Sequence, residues 1–106
     1  MGKPLYHAPA DDTAAVITIA ASSGVAHEIE SYGFSFDEAP AAAKAFTIES
    51  PSGTVLQKWY VTAAGPGPIT ASGSCLRGAV GEALVIRLAS GGAGIAGSVN
   101  CIHRNG

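Results

Sequence analysis

The stretch Ser90-Gly91-Gly92-Ala93-Gly94-Ile95-Ala96-Gly97 decides the fold, because it admits two incompatible readings. Its core, Gly92 to Gly97, spells G-x-G-x-x-G, the fingerprint of a loop that cradles a dinucleotide pyrophosphate between a strand and a helix. That reading needs a helix opened by the glycines and an acidic residue about 20 positions further on. Only nine residues follow Gly97, and they include neither Asp nor Glu. Ser98-Val99-Asn100-Cys101-Ile102-His103-Arg104 reads instead as a strand. The glycines are therefore expected to form a hairpin loop between strands centred on Ile86 and Val99, with Gly91, Gly92 and Gly94 taking positive φ angles.

The flanking sequence supports an all-β chain. Glu82 to Ser90 shows the clearest alternation, placing Leu84, Ile86 and Leu88 inward and Val85 and Arg87 outward. Ala14 to Ala21 reads as a strand with Ile17 and Ile19 on one face and Val16 and Thr18 on the other. In Val25 to Asp37, Val25 and Ile29 share one parity while Tyr32, Phe34 and Phe36 share the other. One long strand is predicted there, bent by a bulge near Ser31 to Gly33. Phe46 to Ser50 and Thr54 to Thr62 flank Pro51-Ser52-Gly53 and predict a β-hairpin. Gly65-Pro66-Gly67-Pro68 makes a stiff crossing to a weaker strand, Ile69 to Leu76, and a turn through Gly78 and Gly81. Asp37 to Ala45 suits either a loop or one helical turn, being too short for an independent helix. Residues 1–12 carry Pro4, Pro9 and Asp11-Asp12 without periodicity and read as an extended amino-terminal arm. Residues 13–106 read as a single-domain antiparallel β-sandwich, jelly-roll-like or immunoglobulin-like, of about 7–8 strands.

Composition narrows the functional classes. Of the 106 residues 13% are charged, about half the usual ~25%. So sparse a charge suggests that another protein covers part of the surface; an Ala/Gly/Ser/Thr surface needing no partner is the alternative. A net charge of -2, with the Lys and Arg spread singly from Lys3 to Arg104, offers no footprint for nucleic acid. No apolar run approaches the ~20 residues that span a bilayer. Met1 to Asp12 lacks the apolar region of a signal peptide, so retention in a cytoplasm is expected. Cys75 and Cys101 are accordingly expected to be reduced and buried, with pairing after release into an oxidising medium as the alternative.

No constellation for catalysis, metal or cofactor emerges. The potential ligands His7, His27, His103, Cys75 and Cys101 do not cluster in sequence, and Cys101 and His103, on one strand face, are a lone pair. Ser72-Gly73-Ser74-Cys75 lacks the nucleophile elbow. A Cys75–His103 or Ser74–His27 dyad would still need a third, orienting group. Asp11-Asp12, Glu28 with Glu30, and Asp37-Glu38 read as solvated or interface charges. Trp59 and Tyr60 are adjacent and so point to opposite faces of their strand; whichever faces outward is a contact candidate.

Taken in succession, the segments from Asp12 to Arg104 resemble a group of small tailed-bacteriophage and prophage proteins. The most telling pieces are Thr62-Ala63-Ala64-Gly65-Pro66-Gly67 and the run Leu76 to Gly97. These are signatures of strands and turns and name no active site. The resemblance implies a β-sandwich assembling as a homotrimer on the particle, a capsid decoration (cement) protein. Its implied partners are its own copies and the major capsid protein, with no membrane and no nucleic acid. Its implied location is the capsid surface after synthesis in the host cytoplasm. Lys3, Pro4, Leu5, Tyr6 and His7 of the arm, with Trp59 and Tyr60 of one sheet edge, are the expected interface residues. The alternative is a tail or fibre component that recognises host-surface carbohydrate through loops such as Gly65 to Pro68 or Ser90 to Gly94.

Overall fold

The computed structural model describes residues 3–51, 53–66 and 70–105, the side chains of 66, 70–75 and 105 excepted. No described residue is helical. The strands are β1 (Lys3–His7), β2 (Ala15–Ile19), β3 (His27–Phe36), β4 (Lys44–Glu49), β5 (Val55–Val61), β6 (Gly65–Pro66), β7 (Thr70–Arg77), β8 (Leu84–Leu88) and β9 (Gly97–Asn105). All pairings are antiparallel. One sheet runs β1-β9-β3, with β6 and β7 both on the far flank of β3; the other runs β2-β8-β4-β5.

The two sheets share one hydrophobic core. Ala15 and Ile17 from β2, Phe46 and Ile48 from β4, and Leu84, Ile86 and Leu88 from β8 meet Ile29, Tyr32, Phe34 and Phe36 from β3 and Val99 and Cys101 from β9. Phe46 is its hub, stacked on Tyr32 at 5.6 Å between ring centroids and tilted against Phe34 at 4.4 Å. Each such large side chain contributes about 1.5–3 kcal/mol by leaving water. Leu84, Ile86 and Leu88 of β8, expected inward, are buried, and of the two faces expected for β2 the one with Ile17 (buried) and Ile19 (half-buried) meets the core. Val85, expected outward, is also buried, at 4% exposure.

The bend in β3 is present, but its register shifts between Ile29 and Ser31, against both β7 and β9. Against β9 Glu30 is the extra residue, slightly earlier than the expected Ser31 to Gly33; against β7 the surplus lies on β7, between Ala71 and Leu76. Parity alone requires one added residue between Ile29 and Tyr32; Glu30 can be that residue because its carboxylate stays at the surface, 3.5 Å from Arg104 Nη1.

The glycine-rich stretch corrects a second expectation. No helix follows it, but it is not a hairpin either: β8 lies in one sheet and β9 in the other, so residues 89–96 carry the chain across the core. Strand-like sequence on both sides of the glycines is equally compatible with two strands facing each other across a core. Gly92 and Gly94 take φ of +110° and +77° as expected. Gly91, expected at positive φ, is not there, and it and Gly97 are glycine for lack of room. A Cβ on Gly91 would lie 2.5 Å from Ile95 Cγ2 and 2.9 Å from Phe36 Cε1, and one on Gly97 3.0 Å from Leu88 Cδ2. The crossing is tied down by Asp12 N–H to the Ile95 carbonyl (3.0 Å) and Asp37 N–H to the Ala96 carbonyl (2.9 Å).

The amino-terminal segment is extended, as expected, but not as a free arm. Residues 3–7 are the edge strand β1, paired with β9 from Lys3 opposite His103 to His7 opposite Val99. Pro4 concealed this in the sequence, yet proline is tolerated in an edge strand, where the missing N–H costs no ladder bond. His7 then links the sheets, its Nδ1 accepting the Val16 N–H at 2.9 Å. The β4–β5 hairpin forms as expected; Ser52 of its turn, Gly67 and Pro68 of the crossing, and Ile69, the expected start of the weaker strand, lie outside the described residues. Residues 37–43 form a loop.

Candidate functional site

Three strands build an open cleft of about 350 Å³ on the outer face of the β1-β9-β3 sheet, lined by residues 4–6, 31–35 and 100–102. Register explains which side chains form it. Pro4, Ile102 and Ser31 make one cross-strand row and Tyr6, Asn100 and Gly33 the next. Directly opposed residues share a sheet face, and this is the face turned away from the core. The lining contains no Asp, Glu, Lys, Arg or His. Charge begins at the cleft's end, where Arg104 Nε contacts Glu28 Oε1 at 2.8 Å and Arg77 Nε lies 3.7 Å from Glu28 Oε2. Tyr6 stands 77% exposed above this surface.

A second uncovered surface lies on the other sheet. β5 is the edge strand after β4. Phe46 and Ile48 of β4 are wholly buried, yet Trp59 and Gln57, paired directly with them, are exposed. Of β5 only Val61, at its end, is buried in the core, so the core thins beyond β4 and the middle of β5 overhangs it. Trp59, on the inward face, donates its indole N–H to the Tyr32 hydroxyl at 3.1 Å and remains 38% exposed. Tyr60 points outward, 67% exposed, with the Lys58 ammonium 5.1 Å from its ring centroid.

The expected interface residues thus divide. Pro4, Leu5 and Tyr6 join the cleft. Lys3 and His7 lie at the two ends of β1, with the His7 ring engaged by Val16. Trp59 and Tyr60 form the separate edge on the other sheet. The β3 and β9 contributions to the cleft, Ser31, Gly33, Asn100 and Ile102, were missed; their signal was outward parity combined with absence of charge.

Among the described residues the potential ligands do not assemble into a site. His27 and His103 meet each other, Nδ1 to Nε2 at 3.0 Å, while His27 Nε2 lies 2.8 Å from the Ala20 carbonyl. Burial, His27 and Lys3 together hold the His103 pKa below the ordinary imidazole value. Cys101 is a free thiol, and burial pushes its pKa up to about 11, so it stays protonated and unreactive at neutral pH. The side chains of Ser74 and Cys75 lie outside those described. Among the described residues no group of His, Cys, Asp and Glu is disposed to hold a metal ion. No described helix could cross a membrane. The surviving candidates are contact surfaces, the cleft and the overhanging edge. A scan against protein-family models and searches of curated proteins and of solved structures return no match.

Proposed function

We propose that the chain is a structural assembly protein of the capsid-decoration kind that its sequence resembles. It works without catalysis, as a homo-oligomer, trimeric in that resemblance, bound to the major capsid protein on the outside of a phage head. The two packed sheets are, in this reading, a jelly-roll-like sandwich. The observation that carries it is the overhang of β5: Trp59 stays uncovered although Phe46, its partner on β4, is buried, and Tyr60 is exposed on the opposite face. Aromatic side chains dominate the cores of protein interfaces, and an uncovered edge strand is a pairing surface for another chain. The face of β1, rather than a free arm, supplies the amino-terminal contact. The test is light scattering of the purified protein together with binding to expanded capsids that lack it. An oligomer that binds is expected; a monomer that leaves such capsids bare refutes the proposal.

The second reading, a tail or head-fibre component that contacts host-surface carbohydrate, is favoured by the uncharged cleft. Antibody labelling at one pole of the particle, rather than over the whole head, would select it.

A further inference from the structure

The geometry points to the β1-β9-β3 cleft as a binding site for a neutral saccharide, with Tyr6 as the stacking platform and Asn100 as the hydrogen-bonding anchor. This deepens the second reading by naming a site on the sheet face instead of the loops.

The argument begins with charge. No side chain in the cleft carries charge at neutral pH, and the guanidinium of Arg104 at its end is already engaged by Glu28 and Glu30. A phosphorylated or acidic ligand would lose its hydration there without gaining a counter-charge, a substantial cost. The occupant is therefore neutral.

Polarity comes next. Asn100 and Ser31 make no side-chain hydrogen bond within the described residues, and both face the cleft. Covering such groups with a purely apolar partner would cost about 1–3 kcal/mol for each one left unpaired. The occupant must thus offer hydrogen bonds. Asn100 presents both an acceptor and two N–H donors in one plane, a combination able to engage two adjacent hydroxyls.

Shape and apolar area complete the match. Tyr6 and Asn100 are directly opposed across β1 and β9, a spacing of roughly 5 Å between Cβ atoms. A ring lying against the Tyr6 face is then within reach of the Asn100 carboxamide. Pro4 and Ile102 form the adjacent apolar row, and Gly33, with no side chain, lies at the far end of the Tyr6 row. Sugar rings combine an apolar C–H face with hydroxyls around the rim. The volume of about 350 Å³ lies at the lower end of the range for small-molecule pockets, roughly 300–1,000 Å³. All contributing residues sit on paired strands, so the site is largely preformed.

The test uses the isolated full-length chain and does not depend on where it sits on a particle. Lactose, maltose and N,N′-diacetylchitobiose are titrated into labelled protein while backbone amides are followed by NMR. At least one is expected to shift amides of Tyr6, Ser31, Gly33, Asn100 and Ile102 together, saturably, with millimolar affinity. Tyr6→Ala and Asn100→Ala should each weaken binding at least tenfold, whereas Tyr6→Phe should retain it. Tyr6 is 77% exposed, so its substitution leaves the core intact. Silence of these amides toward all three sugars and toward a neutral-glycan array overturns the proposal. So does binding that survives Tyr6→Ala. Shifts that follow protein concentration alone would assign the cleft to a second copy of the chain, which also overturns it.

Discussion

His27 and His103 stand 76 positions apart in the chain and share a hydrogen bond of 3.0 Å, Nδ1 to Nε2. His27 is 4% exposed, and its Nε2 bonds the Ala20 carbonyl, so the pair stitches the loop after β2 to β3 and β9. In the neutral state, Nε2–H of His27 donates to Ala20 and leaves Nδ1 as a bare acceptor for Nε2–H of His103. A second positive charge in the pair would face the first at hydrogen-bond distance. Lys3, opposite His103, adds to the repulsion. Glu28 is engaged by Arg77 and Arg104, and Glu30 by Arg104.

The first prediction concerns pH. The pKa of His103 is lower in the folded chain than in the unfolded one, so the unfolded state binds more protons as pH falls through about 6.5. Stability is fully present above that value and declines below it, until the folded-state pKa is passed. Urea denaturation between neutral pH and pH 5 should show this slope, and His103→Gln should flatten it. An unchanged slope in the variant would remove His103 as its source.

Truncating the inner member of the pair is costlier. His27→Ala leaves the Ala20 carbonyl and His103 Nε2 without their partner and opens a small cavity. The expected loss is about 2–4 kcal/mol, read as a lower denaturation midpoint at unchanged slope.

Glu49 should matter through the hairpin it closes. Its buried carboxylate accepts the Thr47 hydroxyl at 2.6 Å and the Gly53 N–H at 2.7 Å, with Arg87 at 3.3 Å, and these partners lower its pKa. That contribution is present above the ordinary carboxylate range and lost as pH falls through the lowered value. Glu49→Ala is expected to cost about 1–3 kcal/mol and to speed amide exchange at Gly53 above all. A Gly53 amide as protected as before would count against the assignment.

Gly91→Ala tests the crossing between the sheets. The added methyl meets Ile95 and Phe36 well inside contact distance, and overpacking of this kind costs about 1–3 kcal/mol. For a domain this small, thermal melting should fall by about 4–8 °C per kcal/mol. A melting point equal to the parent's would mean that the loop has room to move.

Removing residues 1–7 should destabilise the domain as well as alter its contacts. The deletion strips β1 from β9, exposes the flank that Leu5 covers, and leaves the Val16 N–H without His7 Nδ1. Melting well below the full-length chain is expected; equal melting would show that β1 is dispensable to the fold.

The cleft shows how far the sequence carried the site. Pro4, Leu5 and Tyr6 were legible as contact candidates because they sit in a proline-punctuated segment without periodicity. Asn100, Ser31 and Gly33 were not, because each looks ordinary until register sets it in a row beside Tyr6 or Pro4. Trp59 and Tyr60 were legible as a pair on opposite faces; that the inward one would also be exposed depends on the core thinning beyond β4, where of β5 only Val61 is buried.

What the sequence determined by itself is local: strands without a long helix, the two faces of β2, the buried face of β8, the β4–β5 hairpin, and the existence of a bend in β3. Side-chain alternation and turn chemistry act over a few residues, so a short window contains them. Only the tertiary structure decided which sheet each strand joins. It put β8 and β9 on opposite sides of the core, turned the glycine-rich stretch from a hairpin into a crossing, folded the amino terminus onto β9 and brought His27 to His103. Those outcomes rest on which apolar faces cover one another most fully across the whole domain, a comparison that no single segment contains.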